Sequence, residues 1–394
     1  MIFRLSKLTY ALLIVSLFLF TDSFIIKSQA ADSAEQKEDA DSAPDRQLPQ
    51  LAPGKWQPLF EMGENIFPSV VISTATLKQK QWDDKQQHIG DPSGTIGIAL
   101  RGTRENCPVK VEISGTGFIG PTVFTGTLPE KDTVYCVYPD LDYDYEKLLS
   151  VKQTVPEMLI FKVTIDGKQD SEKAVRVQVR PVNECVFYFA DSMGNSHDTS
   201  FIFAAYVNEN HPFINQVLKE ALASKMVDSF EGYSGDEESV KKEIEAVWET
   251  LKNKGMHYTT MSAGTEDFDP YLGTQYVRLL GESINYTQSN CVDGSVLMAS
   301  IFRKIGLNVS LIEIPEHMFI GVSLDREGKD NIYIETTTLA SDTLDEAIED
   351  GNKEYMENKE KLESEKEEEP EYNIINIQDA RMLGIMPIKD SSAD

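Results

Sequence analysis

The chain has 394 residues, enough for two domains that each bury a core. Its 37 basic and 65 acidic side chains leave a formal net charge of −28, which argues against nucleic acid and anionic membrane surfaces as partners. Four cysteines without CxxC spacing suggest neither a zinc ribbon nor a dense disulfide framework, and no motif calls for a cofactor.

Arg4 and Lys7 precede an apolar run from Tyr10 to Phe20, and Ser28-Gln29-Ala30 offers small residues for cleavage. This layout predicts a secretory signal peptide over residues 1–30. Asp22 breaks the run short of the roughly 20 residues a membrane span needs, so the membrane is a partner only if the signal stays uncleaved. No cysteine follows the run to carry a lipid anchor. An exported protein is expected, whether periplasmic, cell-surface or extracellular. Residues 31–53 are acidic, polar and proline-bearing, and read as a disordered linker.

Over residues 54–195 the apolar period is two. Val109, Val111 and Ile113 alternate with polar residues, as do Leu159, Phe161, Val163 and Ile165; Asp166-Gly167 then turns the chain ahead of Val175, Val177 and Val179. Further strands are expected at Val70–Leu77, Thr95–Leu100 and Val134–Tyr138. Short strands with turn chemistry between them predict an antiparallel β-sandwich of the immunoglobulin-like kind. Cys107, Cys136 and Cys185 lie here, and an exported setting would allow two of them to pair. Asp140, Asp142 and Asp144 are spaced like calcium ligands but lack the turn glycine and closing glutamate, which favours a solvated turn.

Over residues 200–390 the period becomes helical. His211-Pro212 opens one helix with Phe213, Val217, Leu218, Ala221 and Leu222 on a face. A second starts near Asp236 with Val240, Ile244, Val247 and Leu251, and Gly255 stops it. His257 and Tyr258 read as extended, and a Gly/Asp/Thr-rich loop leads past Tyr276 and Leu280. From Cys291 a helix is apolar on most sides, as a buried central helix should be, and ends at Gly306. Strands are expected at Asn308–Ile314, Met318–Leu324 and Ile332–Glu335. The Glu/Lys run from Asp345 to Glu371 reads as a solvated helix, and the segment from Tyr372 as packing back on this domain.

Three residues in this part carry chemistry. A cysteine at a helix start has its thiolate favoured by unpaired amides. His317 can take its proton, and Glu335 can orient the imidazole, so Cys291, His317 and Glu335 form a candidate nucleophile, base and third member. The Cys291 amide with a donor from Gln288 or Tyr258 could hold an oxyanion. A zinc site on the same three side chains lacks a second closely spaced ligand, so no metal is expected.

The stretch CVDGSVLMASIFRKIGLNVSLIEIPEHMFIGVSLD with the later YIETT resembles the core of bacterial transglutaminase-like proteins, within the papain-like cysteine hydrolases. The family pattern is Cys-x-Asp at a helix start, R-x-x-G at its end, a Pro-Gly-His turn into a strand, and a carboxylate followed by threonine. Cys291, His317 and Glu335 match the triad, and Asp293, Arg303 and Gly306 match framework positions. With the flanks AAYVNENHPFINQVL and INIQDARMLGIMPI, the likeness covers about Phe201 to Ile388. Two positions depart from it: Glu316 stands where the family has glycine, and Glu335 where it commonly has aspartate. The resemblance implies an α+β chain, with the nucleophile on a central helix against an antiparallel sheet. It implies acyl transfer from an amide of a protein or peptide, to water or to an amine. The competing expectation is the same fold kept as an inactive binding or scaffolding protein of the cell envelope.

Overall fold

The computed structural model describes residues 48–77, 87–259, 271–364 and 372–390. The signal segment, most of the acidic linker, the centre of the Gly/Asp/Thr loop and the end of the Glu/Lys run lie outside them. The architecture is mixed α+β with several separate sheets. Among the described residues no helix is long and apolar enough to cross a membrane.

The first half runs β1 (Trp56–Phe60), β2 (Asn65–Ile66), α1 (Pro68–Thr74), β3 (His88–Gly90), β4 (Ile96–Arg101), β5 (Cys107–Gly115) and β6 (Thr122–Leu128). It continues with β7 (Val134–Tyr138), α2 (Tyr145–Leu149), β8 (Val155–Ile165), β9 (Lys168–Gln169) and β10 (Lys173–Val179). Two sheets form, in the orders β1-β4-β7-β3 and β2-β10-β8-β5-β6, with β9 beside β8. Their apolar faces meet in one core, where Ile96, Ile98, Leu100 and Val137 from the first pack on Val111, Ile113, Leu159, Phe161 and Val163 from the second. Alternation predicts that face because successive side chains of a strand point to opposite sides. Asp166 and Gly167 both take positive φ, 51° and 75°, and close the tight β8–β9 turn. Asp144 caps α2 by accepting from the Lys147 amide at 3.1 Å, which gives one of the three alternating aspartates a local structural task.

Two expectations in this half are corrected. Residues Val70–Leu77 do not form a strand; Pro68 opens the helix α1, whose Val70 is buried in the core of the other half. The β-branched run Val-Val-Ile invites a strand reading, but Phe67-Pro68 supplies a helix start and burial on one face outweighs weak propensity. No disulfide links any of the four cysteines. Cys107, Cys136 and Cys185 sit in three different apolar clusters, so none has a partner sulfur to meet.

The second half runs β11 (Glu184–Ala190), β12 (Ser196–Asp198), α3 (Pro212–Ala223), α4 (Glu237–Asn253), β13 (His257–Tyr258), β14 (Leu272–Tyr276), α5 (Leu280–Tyr286) and β15 (Gln288–Ser289). It ends with α6 (Cys291–Lys304), β16 (Val309–Ile314), β17 (His317–Ser323), β18 (Asn331–Ile334), α7 (Leu344–Leu362), β19 (Asn373–Asn376) and α8 (Ile377–Leu383). Strand β14 and helix α5 occupy the stretch around Tyr276 and Leu280 that was expected to be loop, and β14 pairs with β11. The four-stranded sheet β18-β17-β16-β19 is antiparallel throughout. Helix α6 lies at the centre of the largest core, with Val296, Leu297, Ile301 and Phe302 buried against Leu311, Ile320, Val322 and Ile334 of that sheet. The opposite face of the sheet, through Ile312 and Phe319, packs under Tyr355 and Leu362 of α7. The acidic run is therefore solvated on one side only. Leu344, Ala347, Ile348, Gly351 and Tyr355 recur at three-and-four spacing and are buried.

Candidate active site

Cys291 is the first residue of α6 and is half-buried. The helix starts there because Asn290 caps it, accepting from the Asp293 amide at 2.8 Å, while Asp293 reaches back to the Asn290 amide at 3.2 Å. Asp293 is fully buried and also accepts from the Arg278 amide at 2.8 Å and its guanidinium at 2.6 Å. Burial pushes its carboxyl pKa up, against those three donors. The Cys-x-Asp spacing thus has a mechanical meaning: the aspartate two residues on ties down the loop that presents the sulfur. A first-turn position leaves the Cys291 amide without an intrahelical partner and sets the thiol in the positive end of the helix dipole.

His317 opens β17 directly after a tight turn, Ile314 pairing with His317 across Pro315-Glu316. Glu316 has φ +60°, the left-handed region that glycine takes without strain. Proline followed by positive φ fits a type II turn, and this gives a physical reason for the glycine of the family pattern. The glutamate adopts the same backbone at a cost of about 1 kcal/mol.

Glu335 follows β18 and is buried, with its Oε2 2.6 Å from His317 Nε2. Its other oxygen accepts from the Thr337 amide at 2.7 Å and from the Thr337 hydroxyl. The E-T-T sequence therefore orients the carboxylate as well as supplying it. Glu335 takes the Nε2 edge of the ring, and Cys291 lies near enough to act on the imidazole. Gly294 of α6 brings this end of the helix close to the strand: a Cβ there would lie 3.0 Å from Thr336 Oγ1.

The electrostatics follow. Burial opposes charge on His317, but Cys291, then Glu335 and Glu354, outweigh it, and the imidazole is pushed up to about 12. Burial likewise opposes ionisation of Glu335, yet His317 and Thr337 hold its carboxyl below the usual range. Glu354 belongs to α7, and its Oε2 stands 3.4 Å from His317 Nε2. No expectation from the sequence included it. The visible signal was the buried stripe hidden in the acidic run, with Glu354 next to Tyr355.

Of the two candidate oxyanion donors, Tyr258 is exposed and feels the charges of Cys291, His317 and Glu335. Its phenol pKa is raised by burial first and then by Cys291 and Glu335, against the imidazole. Gln288 lies in β15, paired with His257 of β13, and among the described residues its side chain has no hydrogen bond directing it toward the sulfur. Arg303 donates to the Leu307 carbonyl and to Gln378, and Gly306 takes φ +89° after the helix, so both stabilise the exit of α6 far from the thiol.

His317 Nε2, Glu335 Oε2 and Glu354 Oε2 lie within 4.8 Å of one another. Two ligands of one tetrahedral zinc, each about 2.0–2.1 Å from the ion, stand about 3.3 Å apart. The 2.6 Å between His317 and Glu335 is the spacing of a shared proton. Cys291 is outside that set.

The chain matches no protein-family model, and no curated protein matches it.

Proposed function

We propose that this chain is an exported thiol enzyme of the transglutaminase-like kind that acts on amide bonds of proteins or peptides. The observation that carries the reading is the His317 ring, hydrogen-bonded to Glu335 at 2.6 Å, with Cys291 at the start of α6 near enough to favour the ring's charged form. The central helix against a four-stranded antiparallel sheet supports the papain-like part of the reading. The two facing sheets of the first half support an immunoglobulin-like sandwich beside it.

In this reading the Cys291 thiolate attacks the amide carbon, and charge on the oxygen is met by the Cys291 amide and the Tyr258 hydroxyl. The His317 imidazolium gives its proton to the departing amine as the C–N bond breaks, leaving a thioester on Cys291. The neutral imidazole then takes a proton from water or from an acceptor amine as either attacks the thioester, and the C–S bond breaks to return the Cys291 thiolate beside the imidazolium. Glu335 keeps the ring in the tautomer that serves both steps.

Trapping with peptides bearing a thiol-reactive electrophile tests this. The wild-type chain is expected to label at Cys291, Cys291→Ala not at all, and His317→Ala at the slow rate of an ordinary thiol. An absence of wild-type labelling across a broad peptide set would leave the binding-fold reading instead.

A further inference from the structure

The hydrogen bond to Glu335 already satisfies the Nε2 edge of His317, yet a second carboxylate is brought to the same edge. Glu354 Oε2 lies 3.4 Å from Nε2, and this oxygen is buried with no hydrogen-bond partner among the described residues. The Glu354 side chain is 37 % exposed, but this inward oxygen lacks a donor and is favoured where positive charge faces it. The protonated ring supplies that charge.

The placement is built in. Gly351, one turn earlier on α7, lies so close to β18 that a Cβ would sit 2.6 Å from the Tyr333 carbonyl carbon and oxygen. Tyr355 stacks on Tyr333 with ring centroids 3.6 Å apart, and the Asn352 side chain accepts from the Tyr333 amide at 3.0 Å. The Glu335 amide donates to the Ala347 carbonyl at 3.0 Å. Helix α7 is thus fixed to the strand that delivers Glu335, and both carboxylates are carried by one rigid unit.

We propose that Glu354 is a positioning residue which, from the Nε2 edge of His317, holds the ring in its charged form beside Cys291. This rests on the thiol-enzyme reading for its purpose, though not for its measurement. The ionisable groups facing the ring are Cys291 from α6, Tyr258 from β13, Glu335 after β18 and Glu354 from α7, with Glu316 adjoining in the turn. Two of these carboxylates act directly on the ring, so its charged form persists well into the alkaline range. Proton donation to a leaving amine is then favoured, and proton abstraction from the second nucleophile is favoured only as pH rises. Glu354 sets where that second condition begins.

The test is the ring titration of His317, followed by NMR on the full chain, with the pH profile of Cys291 alkylation by iodoacetamide read in parallel. Glu354→Gln is expected to lower the ring's pKa by about one unit or more and to move the alkaline limb of the profile by the same amount. Glu354→Asp should restore part of the shift. Glu357→Gln, which removes the same charge from the exposed side of α7, should give none. Equal titrations for Glu354→Gln and Glu357→Gln would overturn the proposal. Measuring the ring in a Cys291→Ala background separates the two readings: a Glu354-dependent titration there stands even if the wild-type thiol proves unreactive.

Discussion

Replacing Glu335 by glutamine is the most informative single change at the site, because it alters one charge with little change of shape. The carboxylate makes two commitments: Oε1 to the Thr337 amide and hydroxyl, both donors, and Oε2 to the ring at 2.6 Å. A glutamine has one acceptor oxygen. If that oxygen keeps Thr337, its NH₂ faces Nε2 and tolerates only a ring with a lone pair there, which is the neutral ring in the other tautomer. Loss of a charge-assisted hydrogen bond of this kind is worth about 2 to 3 kcal/mol, or roughly 30- to 150-fold in the population of the imidazolium–thiolate pair. The assay is the second-order rate of Cys291 alkylation at pH 6, where an ordinary thiol is under about 1 % ionised. Glu335→Gln is expected to slow it by that factor. A stability measurement gives the second arm. The raised His317 contributes stability in full below about 6.5, and this is lost as pH climbs through about 12. The lowered Glu335 contributes above about 4.3, and this is lost as pH falls through its folded value. The gap between wild type and Glu335→Gln in urea denaturation should therefore hold through neutral pH and close below about pH 4. An unchanged alkylation rate with an unchanged gap would refute the assignment of Glu335 as the partner of the ring.

Three other changes test the supporting structure. Gly351→Ala forces α7 off the Tyr333 backbone; it should cost about 1–3 kcal/mol in urea denaturation and shift the His317 titration in the direction of Glu354→Gln. Asp293→Ala removes the buried acceptor of the Arg278 and Asn290 donors; a loss of about 3–5 kcal/mol is expected, with slower alkylation of Cys291 in whatever fraction remains folded. Glu316→Gly relieves the positive φ of the turn and should gain about 0.5–1 kcal/mol without slowing alkylation; a loss of stability would contradict the turn argument.

Period and punctuation made much of the fold legible. The alternation of Val109, Val111 and Ile113, and of Leu159 to Ile165, carries its own face, and the Asp166-Gly167 turn carries its own geometry. The all-round apolarity of residues 292–302 marked α6 as central, and its capping residues marked its start. Cys291, His317 and Glu335 were legible because each sits at the beginning or end of an element, where a strand or helix aims a side chain toward a common edge. Local signals could not show where elements meet. Pro68–Thr74 is a helix because one of its faces is buried in a core built mostly from residues more than a hundred positions away. The three cysteines of the first half stay apart because the folded chain distributes them among separate clusters.

Sequence by itself determined the elements around the thiol and the order in which the cysteine, histidine and carboxylate appear. These depend on nearest neighbours along the chain: a cap at Asn290, a proline turn at Pro315, a Thr337 two residues past Glu335. Tertiary structure alone decided that the acidic helix packs beside the imidazole. Glu354 reaches the imidazole through the stacking of Tyr355 on Tyr333 and the bare backbone at Gly351. Those are contacts between surfaces, and a charge run carries no mark of the face that will be covered.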